Sequence, residues 1–225
     1  MRPVAAIPRR HAWCFGLVLY GCAAHTGLEP IPVGKLSPHV SAGGPVVAAF
    51  GTRVPIPYLT AGADYGLAPD ITLSGNAHLL ALAYGIAGFD AALSWFPRQG
   101  GGLAPTVGLE ARLLAFASLR SQVDERLIAY PVFSTSAAWR ISSGLLYAGT
   151  HLAGPLPRPE YDPTPESFMW SPFAGYRWSL GERYALLTEV KWHGVNIRSD
   201  QVAVSYLHPW GRGALAPLIA LTRRF

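Results

Sequence analysis

The sequence has few charged residues and almost no cysteine. Charged side chains make up 14% of the chain, whereas an average soluble domain carries about 25%. Because 50% of the residues are hydrophobic, the composition excludes an intrinsically disordered protein, which needs low hydrophobicity and high net charge. Two cysteines are too few for a disulfide framework or a cysteine-based zinc site. Lysine occurs only twice, and 24 glycines and 20 prolines punctuate the chain, which excludes a coiled coil or a helical bundle.

Motifs for several common chemistries are also missing. The chain contains no GxGxxG, GxxxxGKS/T, HExxH or GxSxG pattern. It therefore predicts no dinucleotide site, phosphate-binding loop, zinc protease or nucleophile elbow. There is no long run of Lys and Arg interleaved with aromatic residues, which argues against a nucleic-acid interface.

The N-terminus has the pattern of a secretory signal. Arg2, Arg9 and Arg10 precede an apolar run at residues 12–20, and this run is too short to span a bilayer. Removing residues 1–21 takes away three arginines and no acidic residue, so the net charge falls from +5 to +2. Most of the positive net charge of the whole chain therefore comes from the predicted signal.

The end of the apolar run resembles the lipobox of bacterial lipoproteins. Leu19 stands three residues before Cys22, and a small residue stands just before that cysteine. Tyr20 departs from the pattern, because a small or hydroxyl residue usually occupies that place. The resemblance implies that Cys22 is lipidated. An ordinary signal, cut near Ala23 or Ala24, is the alternative.

After residue 33 the hydrophobic pattern has a period of two, which predicts β-strands. In residues 70–81, for example, Ile71 and Leu73 fall on one face and Thr72 and Ser74 fall on the other. The other clear segments are 58–67, 87–96, 105–117, 168–178 and 183–193. Weaker candidates are 34–41, 127–139, 143–152, 201–207 and 214–225. Single-chain bacterial barrels have even strand numbers, so these eleven segments predict about ten strands, within a range of 8 to 12.

Short and long connections alternate between the predicted strands. The short connections, rich in turn residues, are 67–70, 141–144 and 179–182. The long connections are 43–56, 119–126, 153–167 and 194–200. Transmembrane barrels have short periplasmic turns and longer outer loops. We therefore predict an all-β, antiparallel, up-and-down transmembrane barrel over residues 34–225, preceded by a signal at 1–21 and an N-terminal linker at 22–33.

The polar faces of the strands indicate which side meets water. They consist mostly of Gly, Ser, Thr and Asn with single charges, whereas a soluble surface is much richer in Lys and Glu. Aromatic residues stand at the ends of the apolar faces, as in the interfacial girdles of membrane barrels. They are Tyr65, Trp95, Trp139, Trp170, Tyr176, Trp178, Tyr184 and Trp192. We expect the apolar faces to meet lipid. A lipid-anchored soluble barrel that binds an apolar ligand would have the opposite arrangement and is an alternative.

The C-terminus resembles the last strand of bacterial outer-membrane β-barrel proteins. The chain ends at Phe225, and Ile219 and Leu221 stand at alternate positions before it. In that class the terminal aromatic residue is the signal read by the barrel-assembly machinery. The resemblance implies that the protein lies in the outer membrane of the cell envelope, with outer-membrane lipid and the assembly machinery as its partners.

On this strand parity, a set of polar side chains faces the lumen. The predicted polar network consists of Asp64, Asn76, His78, Asp90, Glu110, Arg112, Arg177, Glu189 and Lys191. Arg140, His151, His193 and Arg223 are predicted to face the same way. Charges on neighbouring strands neutralise one another in a poorly hydrated interior, so we interpret the set as a lumen network.

Barrels of this size are filled by side chains or leave only a narrow pore. We therefore expect a structural, small-ligand-binding or narrow-pore role, with any ligand at the barrel mouth, and no enzymatic activity. The alternative is an outer-membrane lipid-modifying enzyme with a Ser/His site, which Ser74, His78 and either Asp90 or Asp64 could form. The histidines supply no short-range ligand pair, so we expect neither a metal nor another cofactor.

Overall fold

The computed structural model describes residues 23–49, 52–56, 58–101, 103–119, 127–142, 144–154, 168–199 and 205–224. The predicted signal, Cys22 and Phe225 lie outside these residues. The described part of the chain consists mainly of antiparallel β-strands.

Ten of the strands form one closed barrel, and two form a separate hairpin. In chain order the strands are β1 (Leu36–Gly43), β2 (Val46–Ala49), β3 (Thr52–Pro55), β4 (Tyr58–Ala68), β5 (Ile71–His78), β6 (Ile86–Arg98), β7 (Thr106–Ser118), β8 (Leu127–Ile141), β9 (Gly144–Ala153), β10 (Met169–Leu180), β11 (Tyr184–Arg198) and β12 (Arg212–Arg223). Each barrel strand pairs with the next one along the chain, and β1 pairs with β12 to close the barrel. The prediction of a ten-strand, up-and-down barrel is confirmed.

Helical structure in the described residues is short. The strand predicted to reach residue 81 ends at His78, because Leu79–Ala83 form helix α1. Leucine and alanine favour a helix, and the pairing of β5 with β4 also stops at His78, so no strand ladder holds these residues extended. A 3-10 helix spans Pro209–Gly211. No helix within the described ranges is long and apolar enough to cross a membrane.

The hairpin of β2 and β3 lies within the connection 43–56, which was predicted to be a loop. Residues 205–207 run along its edge, because the Ala48 amide donates to the Ser205 carbonyl and the Leu207 amide donates to the Val46 carbonyl. The predicted strand at 201–207 is therefore not a barrel strand in its described part. These residues satisfy backbone groups at an otherwise open strand edge.

Side chains alternate between the outer surface and the lumen. In β7, Leu113 is 54% exposed, whereas Glu110 is 5% exposed. The exposed large side chains along the strands are mainly Leu, Val, Phe, Trp and Tyr, and the buried polar ones are mainly Ser, Thr, His, Asp and Glu. An apolar exterior around a polar interior is the arrangement of a transmembrane β-barrel. The predicted fold class is thus confirmed, and the apolar faces of the strands point outward as predicted.

Arg223 departs from the predicted inward set. It follows Ile219 and Leu221 at alternate positions of β12, and alternate residues of a strand share a face. Arg223 is accordingly exposed at the end of its strand. Its predicted inward orientation was wrong.

The two ends of the barrel have different connections. At one end, four connections of two to seven residues join β4 to β5, β6 to β7, β8 to β9 and β10 to β11. The barrel also begins and finishes there, with the start of β1 and the end of β12. The other end carries the hairpin, helix α1 and the remaining connections, of seven to fifteen residues. We call these the short-turn end and the long-loop end.

A charge placed on the outer surface tests the lipid-facing assignment. We expect Leu113→Arg, near the middle of β7, to lower the free energy of unfolding in lipid vesicles by about 2–4 kcal/mol, because the guanidinium would face hydrocarbon. Leu103→Arg is the control, because Leu103 is 97% exposed in the β6–β7 turn and should tolerate the charge. Urea titration followed by heat-dependent mobility on SDS gels measures both. Equal unfolding energies for the two variants would contradict the assignment.

Candidate functional site

The lumen holds a length of the chain itself. Residues 23–32, which we call the plug segment, lie in the barrel interior before β1 begins. His25 and Leu28 are buried there. Polar contacts connect the segment to β5, β8, β10 and β11. The described part of the predicted linker therefore occupies space that the ten strands enclose.

The first residues of the plug segment are held by β11, in contacts that we call the upper anchor. Lys191 Nζ donates to the Ala23 carbonyl at 2.8 Å, and the His25 amide donates to Glu189 Oε2 at 3.0 Å. Glu189 also accepts from the Tyr147 hydroxyl at 3.2 Å and lies 3.4 Å from Lys191. Both charged residues are almost fully buried. Buried charges need such partners, so the backbone of the plug segment supplies hydrogen bonds that Lys191 and Glu189 of the barrel wall require.

The last residues of the plug segment are held near the short-turn end, in contacts that we call the lower anchor. Glu29 forms ion pairs with Arg140 of β8 and Arg177 of β10. The Ile31 amide donates to Thr72 Oγ1 of β5 at 3.1 Å. One carboxylate of the plug segment thus connects two strands that β9 separates.

A glycine lets the plug segment lie close to the wall between its two anchors. A Cβ at Gly27 would fall 3.3 Å from Ser94 Oγ and 3.5 Å from Glu110 Oε2. A bulky side chain such as leucine would therefore push the segment away from β6 and β7, whereas a small one would only make a tight contact. The close approach shows that the lumen fits a peptide chain of small cross-section.

A group of charges lines the wall beside Gly27. Arg112 pairs with Asp90 of β6, and its Nε lies 2.9 Å from Glu110 Oε1. Ser94 Oγ donates to Glu110 Oε2 at 3.1 Å. These groups are largely buried, and each charge has an oppositely charged partner. Such mutual pairing is what keeps charges tolerable where water is scarce.

Further polar contacts continue from the charges around Arg112 along the wall toward the short-turn end of the barrel. His78 Nε2 lies 2.9 Å from Asp90 Oδ2, and Asn76 donates to Asp90 Oδ1 at 2.9 Å. His39 Nε2 lies 2.7 Å from Asn76 Oδ1, and its Nδ1 lies 3.4 Å from Asp64 Oδ2. Side chains of β1, β4, β5 and β6 are therefore linked in one network.

All nine residues predicted for the lumen network point inward. Glu189 and Lys191 belong to the upper anchor, and Arg177 belongs to the lower anchor. The other six join one connected network, and they are Asp64, Asn76, His78, Asp90, Glu110 and Arg112.

Sequence reasoning missed four ionisable members of these contacts, namely His25, Glu29, His39 and Tyr147. Glu29 is the only acidic residue before Asp64, and this isolation is a signal that could have identified it. His25 and His39 carry no comparable signal, because a single histidine in an apolar stretch fits many environments.

The proposed Ser/His alternative is only partly assembled. The structure brings His78 and Asp90 together, but the other ring nitrogen of His78 contacts the Tyr58 hydroxyl. Ser74 Oγ has no hydrogen-bond partner among the described residues. The histidine is therefore bonded to a phenol and not to the serine that the alternative requires.

A second hydroxyl–histidine contact lies on β8 and β9. Ser134 Oγ is 2.6 Å from His151 Nδ1, and the His151 ring stacks on Phe173 with centroids 4.5 Å apart. His151 Nε2 has no hydrogen-bond partner in the described residues, so no carboxylate orients this imidazole. Within the same residues, no group of three or more His, Cys, Asp or Glu is arranged to hold a metal ion.

Cavities remain around the plug segment. A cavity of about 40 Å³ lies beside Ala23, between His78, His151 and Lys191, and it has room for little more than a water molecule. A cavity of about 360 Å³ opens beside Glu29 at the short-turn end. We call the larger one the mouth cavity.

Comparison with known proteins gives similarity at the level of the fold. The outer membrane protease OmpT from Escherichia coli is 11% identical, with a TM-score of 0.39 over 84% of this chain and 91% of that chain. The translocator domain of the autotransporter NalP from Neisseria meningitidis is 12% identical, with a TM-score of 0.41 over 96% and 94%. The CymD monoaromatic hydrocarbon channel is 13% identical, with a TM-score of 0.36 over 82% and 56%. No protein-family model matches the chain, and no curated protein sequence is significantly similar to it.

Removing Arg112 tests the mutual neutralisation of the lumen charges. We expect Arg112→Met to lower the free energy of unfolding by about 3–5 kcal/mol, because Asp90 and Glu110 lose their buried cation. The triple variant Asp90→Asn/Glu110→Gln/Arg112→Met removes the carboxylates as well and should recover most of that loss. Urea unfolding in lipid vesicles compares the two. A triple variant less stable than the single one would rule out this account.

Proposed function

We propose that this protein is an outer-membrane barrel whose narrow lumen is closed by its own plug segment and conducts small polar solutes when that segment is displaced. The observation that carries the proposal is the position of residues 23–32, which fill the lumen while bonded to several strands of the wall. The polar network of the wall supports it, because a conduit for water-soluble molecules needs polar walls.

The space taken by the plug segment sets the size of the proposed conduit. Neighbouring backbones in a sheet lie about 5 Å apart, so displacement of one chain opens a channel at least that wide. Ala23, Ala24 and Gly27 have small side chains and add little to this width. The conduit therefore suits small solutes and excludes folded polypeptides.

The plug segment is the part expected to move. The barrel strands are joined by continuous antiparallel ladders, whereas the segment is held by a few side-chain and backbone contacts. Regions with few hydrogen bonds and contacts open at lower free energy than a continuous sheet. Displacement of the segment consequently costs less than widening of the wall.

The proposed orientation places the short-turn end in the periplasm and the long-loop end outside the cell. Outer-membrane barrels have short periplasmic turns and longer outer loops, and this chain has both kinds at opposite ends. We also propose that outer-membrane lipid surrounds the apolar exterior and that the assembly machinery inserts the barrel. Among the described residues, neither Ser74 nor Ser134 is hydrogen-bonded to a histidine that a carboxylate orients, and the proposal assigns no catalytic role.

A disulfide between the plug segment and the wall tests the conduit. Gly27→Cys/Ser94→Cys, in a Cys22→Ser background, suits this purpose, because the Cβ at residue 27 would lie 3.3 Å from Ser94 Oγ, close to the spacing of about 3 Å between a Cβ and the far sulfur in a disulfide. We expect the oxidised protein to stay closed in planar bilayers. After reduction it should show the brief openings of the Cys22→Ser parent.

Gly27→Leu provides the opposite perturbation, because its side chain cannot fit between Ser94 and Glu110. It should raise the open fraction, while Gly27→Cys alone should behave like the parent after reduction. If the parent and Gly27→Leu both fail to conduct at any voltage, the plug is permanent and the conduit proposal fails.

We further propose that Cys22 carries a lipid, as the lipobox resemblance implies. Ala23 lies inside the barrel beside Lys191, so acyl chains on Cys22 would reach a leaflet only if the first residues of the plug segment left the lumen. Radiolabelled palmitate should label the wild type and the Cys14→Ser control but not Cys22→Ser, since the chain has only these two cysteines. An unlabelled wild type whose mature N-terminus is Ala24 or His25 would instead show an ordinary signal cleavage.

A further inference from the structure

The mouth cavity has an excess of positive charge. Three inward-facing arginines line it, against two carboxylates, Glu29 and Asp64. The arginines are Arg140, Arg177 and Arg224. Asp64 Oδ2 lies 3.4 Å from His39 Nδ1, and Glu29 is the carboxylate that pairs with arginines of the cavity.

Glu29 occupies the position that an anionic ligand would take. Its two carboxylate oxygens pair separately with Arg140 and Arg177, one oxygen to each guanidinium. Guanidinium groups bind carboxylate and phosphate with directed, charge-assisted hydrogen bonds. The lower anchor is thus an anion site filled by a residue of the same chain.

The ion pairs of Glu29 are open to competition. The side chain of Arg140 is 63% exposed, and those of Glu29 and Arg177 are 22% and 15% exposed. Ion pairs that solvent can reach contribute little net stability. A dissolved oxyanion that enters the cavity can therefore replace Glu29 without leaving either guanidinium unpaired.

We propose that the mouth cavity binds a small soluble oxyanion, carrying carboxylate or phosphate groups, in exchange with Glu29. Its volume of about 360 Å³ falls in the range of small-molecule pockets, about 300–1,000 Å³. Its other lining residues include Ser37, Gln99, Thr106 and Thr222, which offer hydrogen bonds to a polar ligand. Exchange with Glu29 releases the lower anchor. Any effect of this release on conduction rests on the proposed conduit, whereas anion binding itself does not.

Tethering makes Glu29 a strong competitor. A group held on a short chain has an effective concentration in the millimolar range, so the wild type should bind free anions weakly. Removal of the Glu29 charge takes away this competitor and leaves both guanidinium groups free. The charge-neutral variant should therefore bind anions more tightly than the wild type.

Calorimetric titration of the full mature protein in a zwitterionic detergent tests the site, with succinate and inorganic phosphate as probes. Glu29→Gln should bind succinate about tenfold more tightly than the wild type, because the tethered competitor is gone. Adding Arg140→Gln or Arg177→Gln to Glu29→Gln should weaken that binding by about tenfold, since each removes a charged hydrogen bond. Arg140 is largely exposed, so its variant should fold even if the Arg177 variant does not.

The matched controls lie in the turn between β10 and β11. Glu182→Gln removes an exposed carboxylate, and Arg183→Gln removes an exposed guanidinium. Both should bind succinate as the wild type does. An equal gain in Glu182→Gln would mean that net charge alone governs binding, and unchanged affinity in Glu29→Gln would overturn the exchange.

Lipid headgroups carry the same phosphate chemistry and must be distinguished from a soluble anion. Binding of succinate or phosphate in lipid-free detergent supports the soluble ligand. If neither binds and only phosphatidylglycerol in mixed micelles does, the soluble-ligand proposal is overturned.

Conductance separates this proposal from the proposed function. Anion binding that depends on Glu29 and Arg140, in a barrel that never conducts, would preserve the site and reject the conduit. Conductance through a barrel whose anion affinity is unchanged by Glu29→Gln would preserve the conduit and reject the site.

Discussion

The width of a ten-strand barrel is the constraint on which the rest of this structure depends. Eight strands enclose a space that inward side chains can just fill, and ten enclose more. Here the additional space is occupied by residues 23–32, and the wall is shaped to accept them. Gly27 lies against Ser94 and Glu110, where even a Cβ would be in tight contact. The interior is thus packed by two parts of one chain.

Charge pairing makes ionised side chains tolerable in an interior that holds little water. Asp90 and Glu110 share Arg112, and Glu189 shares Lys191 with the plug segment. Pairs of this kind contribute little net stability, but an unpaired member is costly. The carboxylates and cations of the lumen therefore specify which strands and which part of the N-terminal segment lie together, more than they add to the stability of the barrel.

The sequence predicted the barrel well because a strand has an exact period of two, and the faces of β5, β6 and β7 follow directly from it. The strand prediction was wrong at Leu79–Ala83. No strand pairing holds these residues extended, and they form a helix. The plug segment was beyond prediction, because it has no period and its contacts join distant residues, such as His25 and Glu189. Glu29, isolated among apolar residues, was its only signal.

The two anchors of the plug segment differ in how far solvent reaches them, so the two ends of the lumen are not equivalent. The upper anchor uses Lys191 and Glu189, both almost fully buried, and its loss would leave charges without partners inside the barrel. The lower anchor uses Glu29 and Arg140, which solvent reaches from the short-turn end. The lower contacts line the mouth cavity, where a dissolved solute can reach them directly. The proposed displacement would therefore start at the short-turn end, where arginines line the cavity and an anion is the solute that competes with Glu29.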